Sequence, residues 1–209
     1  MKRLIRSITL AVRRCMKYVA RALNAVSGGR VTPNSVTLFG FAMHVPIAYL
    51  IATGHLVWAA VLLVIFGLFD ALDGELARLQ GSVTSTGGFL DASTDRFKEV
   101  LLYSGAGYLL AGGPHPQLAA LAVAACGASI CVSFVKAKGE AVIASGSKTL
   151  EYPELNRLFS GGLFPFEIRM FVLVIGLAAG RLEWAVGLIA ICASMAAGQR
   201  LVRIGRALA

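Results

Sequence analysis

The sequence predicts an all-α integral membrane protein, with six transmembrane helices preceded by a basic amphipathic interfacial helix. Three observations carry this. Hydrophobic residues make up 57% of the chain, charged residues only 15%, and the mean hydropathy is +0.73, against about 25% charged residues in an ordinary soluble domain. Six apolar runs, near 34–54, 56–80, 86–111, 116–142, 163–180 and 183–205, approach the roughly 20 residues that cross a ~30 Å hydrocarbon core as helix. Ahead of them lies a stretch dense in arginine. With 209 residues nearly all used by these runs, no soluble catalytic domain is expected, and chemistry must occur in or against the bilayer.

Residues 1–24 form the first element. Wound at about 100° per residue, Ile5, Ile8, Val12, Met16, Val19 and Leu23 share one arc, while Lys2, Arg3, Arg6, Arg13, Arg14, Lys17 and Arg21 lie opposite. Such a helix lies on anionic lipid headgroups. Arginines interrupt every apolar stretch within it, which excludes a signal peptide. The domain reading is a cytoplasmic juxtamembrane helix over 1–30 and a six-span domain over 31–209.

Breakers separate the six runs: Thr53-Gly54, Gly81-Ser82, Gly112 to Pro116, Ser145-Gly146-Ser147, Ser160-Gly161-Gly162 and Gly180-Arg181. Within lipid each backbone hydrogen bond must close inside its own segment, so helices are expected throughout. Six crossings put both termini on one side. Of the 20 lysines and arginines, all but Arg181 fall on that side. The positive-inside rule then makes both termini cytoplasmic in a multi-pass protein of the cell (inner or plasma) membrane. The net charge of +9 is read as topology, with no nucleic acid as partner.

The second and third runs carry four aspartates at their cytoplasmic ends. Asp70 and Asp73 are three apart, Asp91 and Asp95 four apart, so each pair projects from one helix face. Four carboxylates converging near lipid repel one another unless protonated or neutralised by cations. Oxygen ligands without Cys or His nearby select Mg²⁺, Mn²⁺ or Ca²⁺, and two such ions suit phosphoryl chemistry. The competing reading is a set of interhelical ion pairs with Arg78, Arg96 and Lys98, which leaves the excess of acids unexplained. Gly74, Ala77, Gly87 and Gly88 strip side chains from the neighbouring walls, and Arg78 offers a planar cation to a phosphate or carboxylate.

The spacing Asp70-x2-Asp73-Gly74-x2-Ala77-Arg78-x8-Gly87-x3-Asp91-x3-Asp95, eight fixed residues over 26 positions, resembles without departure the signature of the CDP-alcohol phosphatidyltransferase family. The six spans, the basic N-terminal helix and Thr32-Pro33-Asn34-Ser35-Val36-Thr37 before the first span extend the likeness along most of the chain. The resemblance implies transfer of a phosphatidyl-type group from a CDP-linked lipid, CDP-diacylglycerol, to an alcohol with release of CMP. It further implies that Asp70, Asp73 and Asp91 hold one Mg²⁺ or Mn²⁺ ion and that Asp70, Asp91 and Asp95 hold a second. Asp95 would be the general base. Gly74, Ala77, Arg78, Thr84 and Gly87, with the turn of Pro33, Asn34, Ser35 and Val36, would contact the CDP-lipid.

Ser133-x2-Lys136-x-Lys138 resembles the Ser-x2-Lys-x-Arg of relatives that accept inositol phosphate or glycerol phosphate, with Lys138 standing where Arg is usual. Arg169 resembles a further acceptor-phosphate ligand. These three cations are expected to line one pocket open to the cytoplasm beside Asp95. The stretch GSKTLEYPELNRLFSGGLFPFE between them departs from the short connection of phosphatidylinositol phosphate synthases. A phosphorylated polyol is therefore favoured, its identity open, with serine or unphosphorylated inositol as the alternative. A cation transporter would place acids nearer the membrane midplane, and an intramembrane prenyltransferase would divide them between two motifs. Cys15, Cys126, Cys131 and Cys192 form no metal spacing, and His44 is read as a helix contact. Gly176-x3-Gly180 permits close helix approach, within the chain or in the expected homodimer.

Overall fold

The structure, a computed structural model, describes residues 2–145 and 164–208. Lys148, Arg157 and the Ser160-Gly161-Gly162 breaker fall outside the described residues, as do the side chains of Lys2, Arg3, Ile5, Arg6 and Ile8. Among the described residues the chain is helical, without strands: α1 (Lys2–Val26), α2 (Pro33–Ala42), α3 (His44–Ala52), α4 (Leu56–Gly67), α5 (Phe69–Gln80), α6 (Ser85–Ala111), a 3₁₀ turn at Pro116–Leu118, α7 (Ala119–Ala144), α8 (Phe166–Ala178) and α9 (Leu182–Leu208).

The first two expected spans are each two helices in line. Pro46 has no N–H to give the Ala42 carbonyl and its ring crowds that turn, so the helix breaks at Met43 between α2 and α3. Leu68, after the terminal Gly67 of α4, separates it from α5, and the Leu68 N–H closes a short turn to Ile65 at 3.3 Å. Among the described residues four segments are long and apolar enough to cross a membrane: Pro33–Ala52, Leu56–Gln80, Pro116–Ala144 and Leu182–Ala207. The helix expected to supply the third crossing, α6, is long but carries Asp91, Asp95, Arg96, Lys98 and Glu99 between residues 91 and 99. The described part of the fifth, α8, has 13 residues. Tyr49, Trp58, Tyr108 and Trp184 are 66–74% exposed at the helix ends remote from these charges, the placement of an aromatic belt.

The main core joins Ile47 and Ile51 of α3, Leu63 of α4, Leu102 and Ala106 of α6, Leu173 and Leu177 of α8, and Val186 and Ile189 of α9. Close approach is built from small residues. A Cβ on Gly105 would sit 2.4 Å from the Ala48 carbonyl oxygen, and one on Gly176 would sit 2.2 Å from the Ala185 Cβ. Gly176 thus serves packing of α8 on α9 within the chain.

A second cluster forms where α1 meets the helix carrying Asp70 and Asp73. Met16 and Ala20 of α1 are buried with Val36 of α2 and Leu72 and Leu76 of α5, and Val12 and Leu23 pack beside them. The Gln80 amide donates to the Asn24 side chain at 2.8 Å and to the Val31 carbonyl at 2.9 Å. The expected lipid-facing arc is therefore partly used on protein. Val19, on its edge, is 40% exposed, and Arg13, Arg14, Lys17 and Arg21 face outward.

Candidate active site

Local structure brings the acids together. Asp70 and Asp73 stand one turn apart on α5, which ends at Gly81 in the left-handed region, φ 62°, a conformation glycine adopts without the Cβ penalty. A short connection leads to Thr84, which caps α6 by accepting the Gly87 N–H at 3.1 Å. Asp91 and Asp95 follow one turn apart on α6. One carboxylate oxygen each from Asp70, Asp91 and Asp95 lie within 4.8 Å of one another.

Asp73 is held slightly apart from that group. It is buried, 6% exposed, and accepts a hydrogen bond from the Thr37 hydroxyl at 2.5 Å. Beside it a cavity of about 200 Å³ opens, walled by α2, α5 and the start of α6. Pro33, Asn34, Gly74, Ala77, Arg78, Thr84 and Gly87 line it with Asp73 and Asp91, so seven of the expected CDP-lipid contacts share one wall. A Cβ on Gly87 would lie 3.3 Å from the Thr84 hydroxyl and 3.5 Å from the Asn34 side-chain oxygen, so a larger residue there would press on the Thr84 cap and narrow the wall. Two of the expected contacts lie elsewhere. Ser35 is engaged in a capping box with Thr32, and Val36 is buried against α1 and α5.

The positive charges are distributed differently from the sequence expectation. Lys98, 2% exposed, donates to Asp70 at 2.6 Å and to Asp95 at 3.1 Å. Arg96 lies 3.7 Å from Asp95 and 2.6 Å from Glu99 Oε2, and donates to the Ser133 hydroxyl. Glu99 is fully buried and takes two hydrogen bonds from Arg169, at 3.0 and 3.1 Å. Arg169 also donates to the Phe164 carbonyl at 3.1 Å, and the Phe166 ring is flanked by Arg96 at 5.2 Å and Arg169 at 5.8 Å. Lys136 pairs loosely with Glu140, 3.7 Å away on α7, and Lys138 is exposed. Arg169, at 1% exposure, is thus turned inward by a buried carboxylate rather than toward solvent with the two lysines. Thr37 and Glu99 are the site neighbours that spacing alone did not bring forward, while Lys98 and Arg96 make ion pairs of the competing reading and Arg78 pairs with Glu75 instead.

The donor set fits a hard divalent cation. It consists of carboxylate oxygens with no sulfur or imidazole, and Asp91 Oδ1 is buried with no hydrogen-bond partner, which costs free energy unless a cation or donor meets it.

A phosphatidylinositol phosphate synthase of Corynebacterium glutamicum is 44% identical over 115 residues, covering 54% of this chain and 52% of that protein. The chain therefore aligns over about half the length of that relative. Among solved structures, Mycobacterium tuberculosis phosphatidylinositol phosphate synthase with CDP-DAG bound superposes with a TM-score of 0.76 at 27% identity, over 91% of this chain and 94% of that one. The same enzyme in complex with manganese and citrate gives 0.77 at 26% identity, over 91% and 88%. The sequence profile of CDP-alcohol phosphatidyltransferases matches residues 30–198, a stretch containing every acid of the cluster and the whole cavity wall, and the chain belongs to that family.

Proposed function

We propose that this chain transfers a phosphatidyl-type group from CDP-diacylglycerol to a hydroxyl of a small phosphorylated polyol, inositol phosphate or glycerol-3-phosphate, releasing CMP in phospholipid biosynthesis. The observation that carries the reading is the gathering of Asp70, Asp91 and Asp95 within 4.8 Å at the edge of a cavity lined by Gly74, Arg78 and Gly87. Asp70, Asp73, Asp91 and Asp95 would hold two Mg²⁺ or Mn²⁺ ions. When bound, such ions supply charge neutralisation for the phosphate and for the departing CMP.

The remaining roles belong to the chain itself. The cavity floor between Gly74 and Gly87 lets a nucleotide approach backbone, and Arg78 neutralises its phosphate. Asp95 takes the proton of the acceptor hydroxyl as that oxygen attacks the β-phosphorus. Ser133, Lys136 and Lys138 would receive the acceptor phosphate, with Arg169 acting from behind through Glu99 and Arg96. The relatives' names favour inositol phosphate as acceptor. Six crossings, a multi-pass place in the cell membrane, cytoplasmic termini and site, a surface helix on anionic lipids and a homodimer complete the reading. The basic residues at one set of helix ends and the exposed aromatic residues at the other support the orientation.

Release of CMP from CDP-diacylglycerol, measured with inositol phosphate, glycerol-3-phosphate, inositol and serine in turn, tests the reaction and the acceptor together. Turnover should require a phosphorylated acceptor, vanish in excess chelator and return with Mg²⁺ or Mn²⁺. Undiminished transfer in chelator, or transfer to neutral alcohols alone, refutes it.

A further inference from the structure

We propose that Lys98 is a positioning residue of this site: its ammonium is a resident counter-cation that ties Asp70 of α5 to Asp95 of α6 and competes with the divalent ion for those two carboxylates. The inference rests on the metal assignment of the proposed function and concerns what the protein itself places between the acids.

Lys98 follows Asp95 by three residues, so the two side chains lie one helical turn apart on α6. A lysine at the edge of an apolar helix ordinarily snorkels, sending its ammonium into water along a buried stem. This one does the reverse, since it is 2% exposed and its nitrogen lies inside the acid cluster, 2.6 Å from Asp70 and 3.1 Å from Asp95. A lysine is seldom buried to this extent unless paired. The two helices it joins lean on a common neighbour, α2, much more than on each other. The ammonium therefore crosses a gap that little direct packing closes.

Arg96 cannot take over this task. It is 3.7 Å from Asp95 but only 2.6 Å from Glu99, and it donates to Ser133 on the far side. Lys98 also leaves part of the cluster untouched, because Asp91 Oδ1 has no partner. One ammonium offsets part of the repulsion among the gathered carboxylates, enough to hold α5 and α6 in register, while the remaining negative charge still attracts a divalent ion. Lysine and ion share ligands, so each weakens the other's hold, as linkage requires.

The test uses the full chain in detergent, with Mn²⁺ binding followed by the electron paramagnetic resonance of the free ion and thermal unfolding recorded in chelator and in Mn²⁺. K98M, which keeps the stem and loses the charge, should bind Mn²⁺ on the order of tenfold or more tightly than the parent. It should unfold earlier in chelator and gain more from Mn²⁺ than the parent does, while K98R should behave like the parent. The double variant D70N/K98M should unfold later in chelator than K98M, because one repelling carboxylate has gone. A K98M that folds only with Mn²⁺ is the same result at its extreme. Unchanged or weaker Mn²⁺ affinity, or a stability loss equal in both media and not relieved by D70N, makes Lys98 a packing element and overturns the proposal. A parent protein that binds no Mn²⁺ overturns the metal assignment with it, whereas a binding parent and an unaltered K98M overturn the role of Lys98 alone.

Discussion

Glu99→Gln should be among the most destabilising single changes in the protein, although it alters one atom and lies outside the signature. Glu99 is fully buried and its carboxylate is the anion between two guanidinium groups, Arg169 at 3.0 Å and Arg96 at 2.6 Å. An amide can still accept from Arg169, but it leaves Arg169, itself only 1% exposed, without a counter-charge and leaves Arg96 with Asp95 alone, 3.7 Å away. Removing one partner of a buried pair costs about 3–5 kcal/mol. At roughly 2–4 °C per kcal/mol for a chain of this size, the unfolding midpoint should fall by about 6–20 °C. Far-UV circular dichroism of detergent-solubilised protein measures it. Glu75→Gln is the control, because its ion pair with Arg78 is half-exposed, 52% on the arginine side, and such pairs contribute under about 1 kcal/mol. Arg169→Met should cost as much as Glu99→Gln, and the double change less than the sum, since neither charge is then left alone. An E99Q midpoint indistinguishable from that of E75Q refutes the buried-pair argument.

Asp95→Asn should abolish CMP release while leaving CDP-lipid affinity largely intact, whereas Asp70→Asn should also weaken Mn²⁺ binding; near-normal turnover of D95N removes it as the base. Lys136→Gln should raise the acceptor KM by about 10- to 150-fold, as for loss of a charge-assisted contact of roughly 1.5–3 kcal/mol, with the CDP-lipid KM little changed, and equal shifts in both would contradict the acceptor role. Gly176→Val should destabilise by about 1–3 kcal/mol, because even a Cβ there lies 2.2 Å from the Ala185 Cβ; an unchanged unfolding midpoint would show that α8 and α9 do not pack this closely.

The parts of this protein legible in its sequence are those governed by local spacing. Aspartates three and four residues apart share a helix face whatever surrounds them, and Gly81 and Gly180 end helices for reasons contained in their own φ angles, 62° and 64°. The break at Met43 was also signalled, by Pro46, although an apolar run of the right length hides it. The pairing of charges is a different problem. Arg169 stands 70 residues from Glu99, and several basic residues at the same membrane level compete for any one acid. The clue was the acid rather than the base: a glutamate in the helix body, four residues beyond the last aspartate, needs a buried cation, and the fifth apolar run contains Arg169. For α1, amphipathicity describes an apolar stripe without saying whether lipid or α5 covers it, and Met16 and Ala20 show that α5 takes a share.

The ionic contacts explain why charges so close to lipid can be tolerated and where the unbalanced ones must lie. From α5 through α6 to α8 they run Asp70, Lys98, Asp95, Arg96, Glu99, Arg169, alternating in sign and closing to zero. Such a ladder lowers the cost of burial because each charge is flanked by its opposite. Among the described residues, Asp73 and Asp91 are outside it, one held by the Thr37 hydroxyl and the other with an unpartnered oxygen. Both line the cavity. Within this cluster the uncompensated negative charge is therefore confined to the cavity wall, while the charges behind it are mutually neutralised. A cation entering the cavity meets a localised field, and helix α6 carries its five charges between residues 91 and 99, directly ahead of the buried core residues Leu102 and Ala106.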